Sequence, residues 1–201
     1  KKLTADFTYT KKNILLEQLA MNTPNSEMKG RVELKYDRKD FSDFNNKVVF
    51  DVEFDKASIA SNDLNFFYNE FGKNNIFYVD THLVGTLNNF TTHNLKLTDK
   101  NQSEIIGTAN FQNLFGKENQ EFYMKGSFDR ITSDYEALKI IMPRVLGKNL
   151  PSVLAKLGRV DLNGDVELTQ KYINANVYLL SKLGIVDGDL AIQNIDNIDN
   201  A

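Results

Sequence analysis

Apolar and polar residues alternate with a period of two along most of the chain. Leu3, Ala5, Phe7 and Tyr9 are separated by Thr4, Asp6 and Thr8, and Met28, Gly30, Val32, Leu34 and Tyr36 by Lys29, Arg31, Glu33 and Lys35. Val48, Phe50, Val52 and Phe54 stand against Val49, Asp51, Glu53 and Asp55, the cleanest stretch of all. The pattern returns at Phe77, Val79, Thr81, Leu83 and Leu87, at Phe122, Met124 and Phe128, and at Ile173, Ala175, Val177 and Leu179. Side chains alternate across a strand, so each segment predicts a β-strand with one wet and one apolar face. Polar connections suited to hairpins lie at Thr23-Pro24-Asn25-Ser26, Asp37 to Asn46, Thr98 to Glu104 and Gly116 to Gln120, which predicts an antiparallel meander. Residues 13–21 also carry a helical face through Ile14, Leu15, Gln18 and Leu19, but the flanking strands favour a strand there.

Helical signals are few. Ser133-Asp134-Tyr135-Glu136 has the form of a capping box, leads into Leu138, Ile140, Ile141 and Met142, and stops at Pro143. Asn149-Leu150-Pro151 to Gly158 and Asp63-Leu64 to Phe71-Gly72 predict two further short helices. Helices so short cannot cover ten or so strands, which at about 4.8 Å spacing extend about 50 Å. The apolar faces must therefore meet in a sandwich, close as a barrel, or curl into a trough that holds an apolar ligand.

The chain also repeats itself. Val79-Asp80, Leu87, Gly107 and Gln112-Asn113 recur as Val160-Asp161, Leu168, Gly188 and Gln193-Asn194, all at an offset of 81 residues. Ile59-Ala60-Ser61 matches Ile131-Thr132-Ser133 at an offset of 72, so the second copy carries nine more residues between its parts. Repeat units of about residues 48–115 and 120–196 predict an array that grows by adding neighbours, with function spread along a face.

Composition and charge narrow the functional classes. With 24 Lys plus Arg against 27 Asp plus Glu, and no basic block longer than Lys1-Lys2 or Lys11-Lys12, a nucleic-acid partner is not expected. The absence of cysteine removes thiol nucleophiles and zinc-thiolate sites. His82, on the polar side of a strand, and His93, assigned to a turn, carry no metal-ligand spacing, and both read as structural. Asp161-Leu162-Asn163-Gly164-Asp165 lacks the glycine position and closing Glu of a calcium loop and reads as a turn; Asp187-Gly188-Asp189 reads as a turn or bulge. Phosphate-cradling loops and a nucleophile elbow are missing, so neither a nucleotide-dependent nor a hydrolytic activity, nor any cofactor, is expected. Asn89-Phe90-Thr91 and Asn101-Gln102-Ser103 match the glycosylation triplet, which carries no weight in an Asn-rich chain. No apolar run spans a bilayer, Lys1 to Thr10 reads as a strand, and the uncapped end at residues 197–201 predicts an internal segment of a longer protein.

Several runs resemble a known family. Gly126-Ser127-Phe128-Asp129-Arg130-Ile131-Thr132-Ser133, the helix ending Ile141-Met142-Pro143, Leu150-Pro151 with Leu157-Gly158, and Leu183-Gly184 leading to Asp189-Leu190 and Ile195 are similar to the TamB family of translocation and assembly module proteins, within the AsmA-like superfamily, of the Bacteroidetes type. Met21 to Gly30 followed by Val32 to Tyr36 resembles a strand-turn-strand unit of that family. These motifs are diffuse patterns of apolar, Gly and Asn positions. The resemblance implies a curled antiparallel β-groove with two or three short helices. It also implies a periplasmic location, tethered to the inner membrane in the full-length protein, and an Omp85-type outer-membrane barrel as partner through regions absent here. The implied role is phospholipid transport between membranes, linked to outer-membrane protein assembly.

Expected lipid-facing residues are Val32, Leu34, Val48, Phe50, Val52, Phe54, Phe77, Val79, Leu83, Phe122, Met124, Phe128, Ile173, Val177 and Leu179. Burying an acyl methylene is worth roughly 0.8 kcal/mol, so such a face needs no polar recognition element. The other open functional class is an interaction module whose exposed strand edge templates strands of outer-membrane proteins.

Overall fold

The alternating segments form strands that pair only with their sequence neighbours. In the computed structural model, which describes residues 1–65, 71–113, 120–141, 150 and 152–194, they build one antiparallel sheet in the order β1 to β11. The strands are β1 (Lys2–Tyr9), β2 (Asn13–Asn22), β3 (Glu27–Lys35), β4 (Val49–Ala60), β5 (Ile76–Thr86) and β6 (Asn89–Asp99). They continue as β7 (Glu104–Gln112), β8 (Tyr123–Ser133), β9 (Val160–Thr169), β10 (Tyr172–Ser181) and β11 (Gly184–Gln193). Among the described residues β1 pairs only with β2 and β11 only with β10, so the sheet is open and mainly β, not a closed barrel. Residues 13–21 are strand, as the flanking pattern favoured.

Short helices connect the strands. A 3-10 turn (Arg38–Asp43) and α1 (Phe44–Lys47) occupy the connection expected to be a simple polar hairpin, because Phe41 and Phe44 fold back onto the apolar side. The other helices are α2 (Ser61–Leu64), α3 (Tyr135–Ile141) and a 3-10 turn (Ser152–Leu157) that ends at Gly158 with φ +69°. Asp134, one residue later than expected, caps α3: its Oδ1 accepts the Ala137 N–H at 2.9 Å. Met142 and Pro143, Asn149 and Pro151, residues 66–70 and most of the 116–120 connection lie outside the described residues.

A row of β-bulges crosses the sheet. Register slips place one extra residue in β2 between Leu16 and Leu19, in β4 between Phe54 and Ala57, in β6 between Thr92 and Leu95, and in β8 between Phe128 and Ile131. Three of these extra residues, Gln18, Lys56 and Asn94, sit at φ near +50°. The bulges fall near one level, since Gly30 pairs with both Leu19 and Phe54, and Gly107 with both Leu95 and Phe128. Bulges bend strands and strengthen twist, so a row of them curls the sheet along a line. Gly107 shows why glycine is needed there: at φ +157°, an added Cβ would stand 2.3 Å from the Ser127 carbonyl oxygen.

Two motifs expected to be turns are strand interior. Asp161 to Asp165 lies in β9 and Asp187 to Asp189 in β11, where Gly164 and Gly188 pair with Val177 on the apolar face and the acids take the polar face. His93 is likewise in β6, at its bulge, and not in a turn. The repeated positions fall in β4, β5 and β7 and correspondingly in β8, β9 and β11, except that Leu87, expected in a strand, lies in the turn after β5 while Leu168 lies within β9. Ser61 and Ser133, both fully buried, lie at the helical ends of β4 and β8, and Asn113 and Asn194 share φ +57° just after β7 and β11.

Candidate functional site: an apolar face between two unlike rims

Register puts most apolar residues of the eleven strands on one face, while Leu15, Val84, Ile106 and Leu180 pair with charged residues on the other. A cross-sheet row runs Phe7, Leu16, Val32, Val52, Leu83, Thr92, Ala109, Gly126, Val166, Ala175 and Leu190, each paired with the next. Leu34 pairs with Phe50, Phe54 with Thr81 and Val79 with Ala57, while Met124 and Ile173 flank Leu168 and Val177 and Leu179 continue β10. The expected lipid-facing positions therefore share this face. They differ in accessibility: Val48 (0% exposed), Phe122 (3%), Val52, Phe77, Phe128, Val177 and Leu179 are enclosed by the protein itself, whereas Val32, Leu34, Phe50, Phe54, Val79, Leu83, Met124 and Ile173 are half-buried. Sequence reasoning missed Leu16, Leu19, Leu95, Phe111, Leu168 and Leu190 on the same face. The alternation in β2 and β6 was broken by the bulges, which hid the first three.

The two rims of this face have different chemistry. At one, where β1 ends and β2 begins, the rings of Tyr36, Phe41, Phe44 and Phe50 succeed one another with centroids 4.6, 6.2 and 5.6 Å apart. Farther along, Phe90 stacks on Phe111 at 5.2 Å, and Phe122 and Leu168 form a buried cluster with Phe111, Met124, Ile173 and Ile192 around them. The opposite rim is polar and buried. Ser26 Oγ donates to Asp63 at 2.6 Å and accepts the Ala60 N–H at 2.9 Å; Ser61 Oγ accepts the Asn75 N–H at 3.0 Å; Ser103 and Ser133 share a hydroxyl hydrogen bond at 3.0 Å. Asp99 Oδ1 accepts the N–H groups of Asn101 and Ser103, both at 2.8 Å. Such pairing offsets the cost of burying polar groups, though Asn75 Nδ2 in this rim and Asn88 Oδ1 are buried without a hydrogen-bond partner among the described residues.

The reverse face carries the charges. Asp51 bonds Lys35 at 2.9 Å and His82 Nε2 at 2.9 Å and stands 3.5 Å from Arg31; Glu33 takes Arg31, Lys35 and the Asn13 amide. Lys35, then His82, hold the Asp51 carboxyl below its ordinary range; Asn13, then Arg31 and Lys35, do the same for Glu33. His82 lies 5.9 Å from His93, ring to ring, and is engaged by Asp51 as a strut between β4 and β5. Among the described residues no three His, Cys, Asp or Glu stand close enough to hold a metal ion, and no helix is long and apolar enough to cross a membrane. No family model, no curated protein and no solved structure matches the chain.

Proposed function

We propose that the chain is a stretch of periplasmic β-groove, TamB-like in kind, that shields phospholipid acyl chains during transfer between membranes. The observation that carries this reading is the mainly apolar face that runs across eleven paired strands, against which, among the described residues, only short helical segments are set. The mechanism is solvation: half-buried Val32, Leu34, Phe50, Phe54, Val79 and Leu83 replace bilayer hydrocarbon, and the ionic network on the reverse face keeps the segment wetted. No bond is made or broken. An Omp85-type barrel is the proposed partner of the full-length protein. Native mass spectrometry of the purified chain tests the reading, with co-purified phospholipid as the expected result. Phe50→Glu places a carboxylate on the half-buried face and should abolish the bound lipid while circular dichroism stays that of a β-sheet. A chain free of lipid before the substitution would contradict the proposal.

A second reading rests on the sheet edges. Leu3, Phe7 and Tyr9 on β1 and Ile185 on β11 are all more than half exposed, and each strand has one unpaired side among the described residues. Such an edge accepts an added strand through main-chain hydrogen bonds, which suits a template for outer-membrane protein strands. Cysteine crosslinks from Thr4, rather than from the apolar face, to an unfolded outer-membrane substrate would favour it.

A further inference from the structure

β3, β7 and β11 each carry a glycine at positive φ: Gly30 at +153°, Gly107 at +157° and Gly188 at +141°. Each pairs on its inner side with an apolar residue of the preceding strand, Leu19, Leu95 or Val177. On the outer side, β3 and β7 show why the glycine is there. Phe54 of β4 pairs with Gly30 and Phe128 of β8 with Gly107, and an added Cβ would run into the Glu53 or the Ser127 carbonyl oxygen. At Gly107 it would also stand 3.0 Å from Cδ1 of the Phe128 ring. Gly188 has the same backbone without that reason. An added Cβ there meets nothing within 4 Å, and the outer side of β11 is unpaired among the described residues. A glycine in a strand marks a close approach of another backbone, so one kept in this conformation on an open edge implies a chain that closes over it.

The two occupied edges define the occupant. β4 and β8 set Phe54 or Phe128 against the glycine, Val52 or Gly126 against Val32 or Ala109, and Phe50 or Met124 against Leu34 or Phe111. Phe54-Asp55-Lys56 and Phe128-Asp129-Arg130 then run through the bulge. β11 offers Leu190 and Ile192, both half-buried, at the matching places. Arg130 stands opposite Ile106, the residue before Gly107, and in β11 that place belongs to the exposed Asp187. Opposite charges facing each other across a strand pair stabilise it. β1 of a second copy does not fit. Its slip against β2 between Thr4 and Asp6 matches that of β5 against β6 between Asp80 and His82, so β1 is a strand of the β5 kind, and a strand of the β4 kind belongs between it and β11. We infer that the outer edge of β11 is a joint that receives, antiparallel, a strand of a further unit built like β4 and β8, with its Phe over Gly188 and its basic residue beside Asp187. The joint holds whether or not the apolar face carries lipid, and unlike a general strand template it demands one register and one sequence pattern.

The test uses a synthetic peptide of the β8 sequence, Tyr123–Ser133, and a fluorophore on Gln193→Cys, the sole thiol in a chain without cysteine. Peptide should change the fluorescence saturably, and a scrambled peptide of the same composition should bind roughly tenfold more weakly. Phe128→Ala in the peptide should weaken binding roughly fivefold, as should Arg130→Glu, and Asp187→Lys in the chain should restore the latter. Gly188→Ala in the chain should weaken binding by roughly tenfold or more. Gly184→Ala is the control for backbone strain: its φ is +135° and its surround equally open, but Ser26 and Ser103 stand at the matching place before Gly30 and Gly107, so binding should persist. A scrambled peptide that binds as well, a Gly188→Ala chain that binds like the wild type, or no binding to the wild type overturns the joint. So does a dimer in light scattering that dissociates on Gly188→Ala, which would make a second copy the occupant. Should Gly188→Ala disturb the sheet by circular dichroism, the peptide's Phe128→Ala and the charge swap decide alone, and unchanged binding in both overturns the joint.

Discussion

The two rims of the sheet solve the same problem with opposite chemistry. Both are places where strands end and backbone must turn beside an apolar face. The aromatic rim closes with rings, so Phe90 packs on Phe111 and Phe122 is nearly sealed beside Leu168. The serine rim closes with small hydroxyls that satisfy one another and the backbone, as in the Ser103–Ser133 pair. Dispersion and area burial tolerate small shifts, but a buried hydroxyl left alone does not.

The sharpest way to break this contrast is to remove its most enclosed ring. Phe122→Ala should cost about 3 kcal/mol in chemical denaturation, the usual loss for a buried Phe, with amide exchange accelerating at Leu168 and Met124 while Ser61 and Ser133 stay protected. At the other rim, Ser133→Ala leaves the Ser103 hydroxyl without its partner inside a buried site and should cost about 1–2 kcal/mol. Simultaneous Ser103→Ala should recover part of that loss, because both polar groups are then gone. If the double variant were the worse of the two, the hydroxyls would not be acting as a pair.

A pH dependence sharpens the comparison further, since the serine rim adds its own to the one that Asp51 and Glu33 give the reverse face. Ser26, then Thr23 and Asn25, donate to Asp63 and hold its carboxyl below the ordinary value near 3.8. A depressed folded-state value means the stabilisation is fully present above pH ~4, where the unfolded carboxyl ionises, and is lost as pH falls through the lower folded value. Thermal denaturation should therefore show a midpoint that drops in acid, and Asp63→Asn should flatten that drop while costing about 1 kcal/mol at neutral pH. The smallest effect is expected at Phe41, which is 48% exposed: Phe41→Ala should shift the denaturation midpoint by less than about 1 kcal/mol.

Face assignment was legible in the sequence because period-two alternation leaves little freedom. Val48 to Asp55 fixes which side of β4 is apolar, and pairing then propagates that choice through Leu34, Leu83 and their neighbours. The bulges were not legible. Gln18 and Lys56 adopt positive φ with no residue type that favours it, and the one-residue insertion reads as a lapse in pattern. Asp161 to Asp165 reads as a turn, and Asp187 to Asp189 as a turn or bulge, because Asp, Asn and Gly dominate turns. In the sheet the same acids line up across the polar face, with Asp165, Asn176 and Asp189 in one row, which no single segment reveals. The serine rim was equally hidden, since Ser61 meets Asn75, and Ser103 meets Ser133, only once the strands are paired.

Neighbouring residues on opposite faces test the central claim most directly. Val79 lies on the apolar face between Ala57 and Leu97, and Asp80 on the polar face beside Lys96. A photoreactive amino acid placed at 79 or at 80, in cells grown with labelled phosphate, reports which face meets phospholipid. A groove that shields acyl chains should give labelled crosslinks at 79 and not at 80. Crosslinks of equal yield at both positions, or at 80 alone, would contradict it.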